Sequence, residues 1–313
     1  MQVEEFVRYK NRIVENCSRI IVGKEEVAAQ LAICLLAGGH VLLEDLPGTG
    51  KTMLLRAFAK SIGGDFRRIQ FTPDLLPSDL TGINFYNQKL GEFEFRPGPL
   101  FGSVILADEI NRATPRSQSA LLEVMEEKQI TVDGTTYPMA RPYIVMATQN
   151  PVESFGTFPL PEAQLDRFFM RLSLGYMTRE QELSVLRRAD AKELLEQLAP
   201  VTSAQELAEL RSQYPRVTVG DDVAGYLMDI IAATRSSELL AAGVSTRGAI
   251  ALYRASQLRA ATEGRDYVIP EDVRAEAAVV LPHRLSLRGS SHMDAQAYLA
   301  GLLREIRVPL ETL

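Results

Sequence analysis

The run Val41-Leu42-Leu43-Glu44-Asp45-Leu46-Pro47-Gly48-Thr49-Gly50-Lys51-Thr52 passes from an apolar stretch through a Pro/Gly turn into a helical pattern. Backbone N–H groups of such a turn and of the helix start converge on one spot, and the helix dipole favours an anion there. Gly48, Thr49, Gly50, Lys51 and Thr52 therefore read as a phosphate cradle. Lys51 would neutralise the β- and γ-phosphates and the Thr52 hydroxyl would sit on Mg²⁺. The pattern G-x-x-x-x-G-K-[ST] has glycine where this chain has Asp45, so the reading depends on residues further along.

Those residues stand at the ends of later apolar runs. Val104-Ile-Leu-Ala is followed by Asp108-Glu109, which places two acids at the carboxyl edge of a buried strand, where open α/β sheets bind ligands. Asp108 suits a metal ligand and Glu109 a base that orients attacking water, with an acidic pair capping a turn as the bland alternative. Val145-Met-Ala-Thr-Gln-Asn150-Pro151 ends the next run in amides, and Asn150 could touch a γ-phosphate or simply start a turn. Arg167, in Leu160-Pro-Glu-Ala-Gln-Leu-Asp-Arg-Phe-Phe169, could stabilise transition-state charge or pair with Asp166 or Glu162. Arg247, in Ser245-Thr-Arg-Gly248, opens a helix where the dipole disfavours a cation, so it should answer to a phosphate or a carboxylate.

Strand and helix signals alternate from residue 1 to about 175, as in a parallel sheet covered by helices. The predicted strands are His40–Glu44, Phe66–Phe71, Ser103–Ala107, Tyr143–Thr148 and Phe169–Ser173, and the helices between them Glu25–Ala37, Thr52–Ser61 and Arg116–Glu127. Thr114-Pro115 supplies the last helix with a cap and a first-turn proline. Two stretches alternate with period 2 around turns and read as inserted hairpins: Thr81–Arg96, and Gln129–Tyr137 with Asp133-Gly134 at its turn. After Gly175 strand signals fade. Thr178-x-x-Gln181 and Ser203-x-x-Glu206 fit capping boxes, Val223, Leu227, Ile230 and Ile231 mark one helix face, and Pro270-Glu-Asp272 starts another helix. The division expected is an α/β core over 1–175 and a helical domain over 176–313.

With 46% hydrophobic and 24% charged residues the chain is of ordinary soluble composition, and no apolar run reaches the ~18 residues of a membrane span. The first ten residues carry Glu4 and Glu5 and no signal-peptide pattern, and two cysteines (Cys17, Cys34) make no disulfide framework, so a cytoplasmic location is expected. Three scattered histidines and two cysteines do not form a zinc site. The net charge of −6 disfavours nucleic acid as a main partner, and Arg67-Arg68 and Arg187-Arg188 read as solvated element ends.

The order of these motifs resembles an AAA+ ATPase, and their wording is similar to the MoxR family: Leu43-Glu-Asp-x-Pro-Gly-x-Gly-Lys-Thr52, Ala107-Asp-Glu-Ile-Asn-Arg-Ala113, Ala147-Thr-Gln-Asn-Pro151 and Leu160–Phe168. The resemblance covers essentially the whole chain. It implies that Asp45 is tolerated in the cradle. It also implies a five-stranded P-loop core with β-hairpin insertions, followed by an all-helical lid. By the same resemblance Lys51 and Thr52 bind ATP phosphates and Mg²⁺, Asp108 is the Walker B metal ligand and Glu109 the catalytic base. Asn150 matches sensor 1, Arg167 a finger acting on a neighbouring subunit, and Arg247 sensor 2. Val22 and Gly23, with Ile21, match the segment lining the adenine pocket. The implied activity is ATP hydrolysis at subunit interfaces of a ring, by the same resemblance a hexamer, to remodel or mature client proteins. The implied partners are further copies of the chain, a protein client and a von Willebrand factor A domain protein. A nucleotide-gated scaffold with little turnover and a DNA-acting relative are the competing expectations.

Overall fold

The computed structural model describes residues 2–44, 48–149, 156–187, 191–288 and 294–309. In chain order the first half runs α1 (Val3–Ser18), α2 (Glu25–Ala37), β1 (Val41–Glu44), α3 (Lys51–Ser61), β2 (Phe66–Gln70), α4 (Pro77–Thr81), β3 (Gly82–Asn87), β4 (Glu92–Pro97), β5 (Val104–Asp108), α5 (Pro115–Glu127), β6 (Gln129–Val132), β7 (Thr135–Pro138), β8 (Ile144–Gln149), α6 (Glu162–Leu165) and β9 (Met170–Leu172). The second half follows as α7 (Arg179–Arg187), α8 (Ala191–Gln197), α9 (Ala204–Gln213), α10 (Asp221–Ser236), β10 (Leu240–Ala242), α11 (Thr246–Thr262), α12 (Pro270–Val280), β11 (Ser286–Leu287) and α13 (Ala295–Glu305).

Five strands form one parallel sheet in the order β2-β5-β8-β1-β9. Successive side chains on a strand face opposite sides, and the core divides accordingly. Val41, Leu43, Val104, Leu106, Ile144 and Met146 pack on one face with α1, α2 and α3. Leu42, Ile105, Ala107, Val145 and Ala147 pack on the other with Leu121, Leu122 and Met125 of α5. Burial on both faces explains why these strands read as unbroken apolar runs. Helix α2 is buried from Leu31 through Leu36 because it is covered on all sides, and Gly38, at φ 68°, reverses the chain behind it into β1.

The two expected hairpins are β3–β4 and β6–β7, both antiparallel. They are joined by a stacked Phe95–Tyr137 pair (centroids 4.5 Å apart) and by the Asn84 amide donating to Asp133 over 2.7 Å. Ile83, Phe85, Tyr86, Leu90 and Phe93 of the first hairpin remain exposed.

The second half is helical but for a short antiparallel ladder between β10 and β11, too brief to leave a periodic signal. It has no core of its own: Leu227, Ile230, Leu252, Leu258 and Val273 belong to the same apolar cluster as Phe6, Tyr9 and Ile13 of α1. Of the two expected capping boxes one forms in full and the other in part. Thr178 and Gln181 bond reciprocally, whereas Ser203 accepts from the Glu206 N–H and the Glu206 side chain pairs instead with Arg12. Thr114 precedes α5 without capping it, since its hydroxyl meets the Ser117 hydroxyl at 3.5 Å.

Candidate functional site

A cleft of about 410 Å³ lies at the carboxyl ends of β1, β5 and β8, lined by Gly48, Gly50, Lys51, Thr52, Arg68, Asp108, Glu109, Thr148 and Gln149. Gly48 and Gly50 sit at φ 86° and 88°, conformations glycine adopts without strain, and they turn the chain into α3 at Lys51. A Cβ added to Gly48 would have no atom within 4 Å, so open space stands beside that backbone. Thr49 is buried. Asp45 and Asn150 lie outside the described residues.

Asp108 ends β5 and Thr148 stands near the end of the adjacent β8. The buried Thr148 hydroxyl donates to Asp108 Oδ1 (2.6 Å) and accepts the Glu109 N–H (2.8 Å). Glu109 needs that anchor, because its backbone sits at φ 57° and ψ 50°, an uncommon conformation for a side-chain-bearing residue. The other Asp108 oxygen takes a fork from Arg68: Nη2 at 2.6 Å and Nε at 3.1 Å. The Glu109 carboxylate, in the cleft wall, accepts the Gln70 amide (2.8 Å) and Arg112 Nη1 (3.0 Å) on one oxygen. Arg68 is exposed yet paired with Asp108, Arg67 is exposed and pairs with Asp65, Arg187 is exposed at the end of α7, and Arg188 lies outside the described residues.

Hard oxygen donors at Thr52 and Asp108, beside the Lys51 ammonium, fit a nucleotide with its Mg²⁺. Among the described residues no group of three or more His, Cys, Asp or Glu side chains could hold a metal by itself.

The segment Ile21-Val22-Gly23 closes one side of the P-loop. A Cβ on Gly50 would touch the Ile21 side chain at 3.7 Å, and one on Gly23 would strike the Gln181 carboxamide at the start of α7. Lys24 is buried, and among the described residues no carboxylate pairs with it. Its ammonium donates to the carbonyls of Leu174 (2.5 Å), Gly175 (3.2 Å) and Tyr176 (3.4 Å), fastening the chain between β9 and α7 to this segment.

Arg167 and Arg247 stand elsewhere. Arg167 precedes β9, as Gly38, Gly39 and His40 precede β1, so both mark the amino-terminal edge of the sheet. At about 3.3 Å per residue, strands of four to six residues separate the two edges by roughly 13–20 Å. Glu126, near the end of α5, binds both arginines: Arg247 Nη2 at 2.5 Å and Arg167 Nε at 3.2 Å. Arg247 therefore answers to a carboxylate, and Arg167 pairs with neither Asp166 nor Glu162. Asp166 instead joins the core to the helical half, accepting Arg284 Nε (2.8 Å) and the Ser245 hydroxyl (2.8 Å). Under this edge lies His40, whose Nδ1 accepts the Val145 N–H, so its Nε2 carries the proton donated to the Met125 carbonyl. Burial pulls its pKa down to about 4, against the opposing effect of the Met125 bond.

Thr148, Arg68, Gln70, Arg112 and Glu126 carry contacts that motif reading did not assign. The one available signal was period 2 on β2, which sets Arg68 and Gln70 on the same face near its carboxyl end.

Residues 40–170 match the ATPase family associated with various cellular activities (AAA), and residues 232–299 match the AAA lid domain. YeaC of Bacillus subtilis is 49% identical over 303 residues, covering 96% of this chain and 95% of its own. Chaperone MoxR1 of Mycobacterium tuberculosis is 41% identical, covering 88% of this chain and 75% of its own. A solved structure of a candidate ATPase from Cytophaga hutchinsonii is 40% identical, superposes with a TM-score of 0.89 and covers 98% of both chains. With Protein MoxR of Methylorubrum extorquens also 30% identical across 94% of this chain, the chain belongs to the MoxR family of AAA+ ATPases.

Proposed function

We propose that the chain hydrolyses ATP at a site completed by a neighbouring copy of itself, and that it uses the cycle to remodel client proteins. The observation that carries this reading is the separation of its parts. Lys51, Thr52, Asp108 and Glu109 gather at the carboxyl edge of the sheet, while Arg167 and Arg247 project from the amino edge. Those arginines stand at the opposite edge from the chain's own P-loop, and a head-to-tail contact would set them against the next copy's γ-phosphate.

In this reading Gly48, Thr49 and Gly50 offer backbone N–H groups to the phosphates and Lys51 balances their charge. Val22 and Gly23 border the base. Thr52 and Asp108 hold Mg²⁺, with Thr148 fixing the Asp108 carboxylate, and bound magnesium would withdraw charge from the reacting phosphates. Glu109 polarises the attacking water once it leaves Gln70 and Arg112. Asn150 would orient the same water. Arg167 and Arg247, released from Glu126, stabilise charge on the transferred group, the kind of contribution worth 10³–10⁵ in rate elsewhere, or roughly 4–7 kcal/mol.

Heterologous contacts of this kind form rings where the rotation between copies closes, and a closed hexamer is the assembly proposed. Residues 1–175 act as the nucleotide-binding core and 176–313 as the lid. The exposed Phe85, Tyr86 and Phe93 give the first hairpin an apolar surface for a protein client. A chaperone-named relative supports that role, and a von Willebrand factor A domain partner and a cytoplasmic location are proposed with it. Among the described residues no helix is long and apolar enough to cross a membrane.

Mixing variants tests the shared site. Lys51→Ala removes the cradle but keeps the arginines, and Arg167→Ala does the reverse. Each alone should be inactive with an unchanged fold by circular dichroism, and mixing should restore a measurable fraction of ATPase activity. Full activity in Arg167→Ala alone, or no recovery in mixtures that co-assemble by light scattering, would overturn the reading.

A further inference from the structure

A pocket of about 270 Å³ opens near the amino-terminal edge of the sheet, away from the P-loop. Its walls are element ends. Gly38 follows α2, Lys128 follows α5, Arg141 and Tyr143 lie between β7 and β8, and Arg211 reaches in from α9. A Cβ on Gly38 would lie 3.8 Å from both the Lys128 Nζ and the Arg211 guanidinium carbon, so the two cations converge on one glycine.

The charge here is unbalanced. Partial burial and then the neighbouring Arg211, Arg141 and Arg254 hold Lys128 below its ordinary pKa. Among the described residues no carboxylate lies within 4.0 Å of Lys128, Arg141, Arg211 or Arg254. Arg211 does cap α2, donating to the Leu35 carbonyl through Nη2 (2.5 Å) and Nε (3.1 Å). Two helix carboxyl ends together supply only about one unit of negative charge. Four cations in a chain of net charge −6 are left largely uncompensated.

The second observation is Tyr143. Its side chain is 7% exposed, its ring is set edge-on against His40, and its buried hydroxyl has no hydrogen-bond partner. Buried hydroxyls are ordinarily paired, and this unpaired one belongs to a residue of the pocket wall.

We propose that this pocket is an anion site for a phosphate-bearing ligand, with Lys128, Arg141 and Arg211 as counter-charges and the Tyr143 hydroxyl as a neutral donor. A phosphate dianion answers several cations at once, whereas a single carboxylate would leave most of their repulsion in place. The volume suits a phosphoryl group more than the ~300–1,000 Å³ of pockets for larger ligands. The site is separate from the P-loop cleft, with which it shares no lining residue.

The test titrates inorganic phosphate into the Lys51→Ala chain at constant ionic strength, following heat and melting temperature, so that the cradle does not dominate the signal. Saturable binding is expected. Tyr143→Phe should weaken it about tenfold, the usual worth of a hydrogen bond to a charged group, while Lys128→Gln and Arg141→Gln should each weaken it further without lowering the ligand-free melting temperature. Titration with O-phosphoserine distinguishes a phosphorylated side chain from free phosphate as the source, by whichever binds tighter. The proposal fails if phosphate does not bind, if chloride alone reproduces the response, or if all three variants bind as tightly as their parent. It also fails if Lys128→Gln alters only the oligomeric state, since the pocket would then seat a neighbour's carboxylate.

Discussion

Thr148 serves two candidate site residues from one hydroxyl, holding Asp108 through its proton and the Glu109 backbone through its oxygen. Thr148→Val keeps the shape and removes both bonds, leaving a buried carboxylate oxygen and a strained N–H unpaired. The expected outcome is a loss of about 1–3 kcal/mol by urea denaturation and at least a tenfold fall in kcat at saturating ATP. Glu126 is the converse case, a partly exposed carboxylate whose pairs contribute little to stability but occupy both arginines. Glu126→Gln should change stability by less than about 1 kcal/mol. In an ATPase titration against protein concentration it should lower the half-maximal point, because Arg167 and Arg247 no longer leave a carboxylate to meet a phosphate.

Between elements, a polar cluster crosses from α2 to α11 and α12. Glu276 of α12 is fully buried, accepts the Gln30 amide at 3.0 Å and faces Arg259 at 3.3 Å. Its second oxygen and Gln30 Oε1 have no partner. Burial pushes the Glu276 carboxyl up to about 7, against the opposing pull of Gln30 and Arg259. The folded chain therefore binds more protons than the unfolded chain between about pH 4.5 and 7. Stability contributed by this group is present in acid and is lost as pH rises through 7. Glu276→Gln should flatten the dependence between pH 5 and 8 by on the order of 2–3 kcal/mol, measured by denaturation at each pH. A slope identical to that of the unmodified chain would contradict the assignment.

For the molecule as a whole, the join between the sheet and the helical half rests on Arg284. It donates to Asp166 Oδ1 and to the carbonyls of Phe168 (2.7 Å), Phe169 (3.2 Å) and Val280. Its side chain is nearly inaccessible, so Arg284→Ala should lower the unfolding free energy by about 3–5 kcal/mol, since Asp166 loses its cationic partner and keeps only the Ser245 hydroxyl among the bonds described. One cooperative transition is expected before and after the change, because a single apolar cluster spans α1, the sheet and the later helices. Two separated transitions would contradict that shared core.

The turn into α3, the strand that ends at Asp108, the five strands and both hairpins were legible because each is a local pattern: a turn between two periodicities, or an apolar run with polar ends. Strand bounds differ from expectation by about a residue, as fraying ends allow. Less legible were Arg68 on Asp108 and Gln70 on Glu109, which depend on β2 lying beside β5 with Gln70 opposite Asp108. The sequence by itself determined which residues could do phosphate chemistry and which elements end in them, since periodicity and turn chemistry act over a few residues. Only the tertiary structure decided that Arg167 and Arg247 share Glu126 on the far edge, because strand order and helix packing join residues up to 121 positions apart. No local pattern carries that distance.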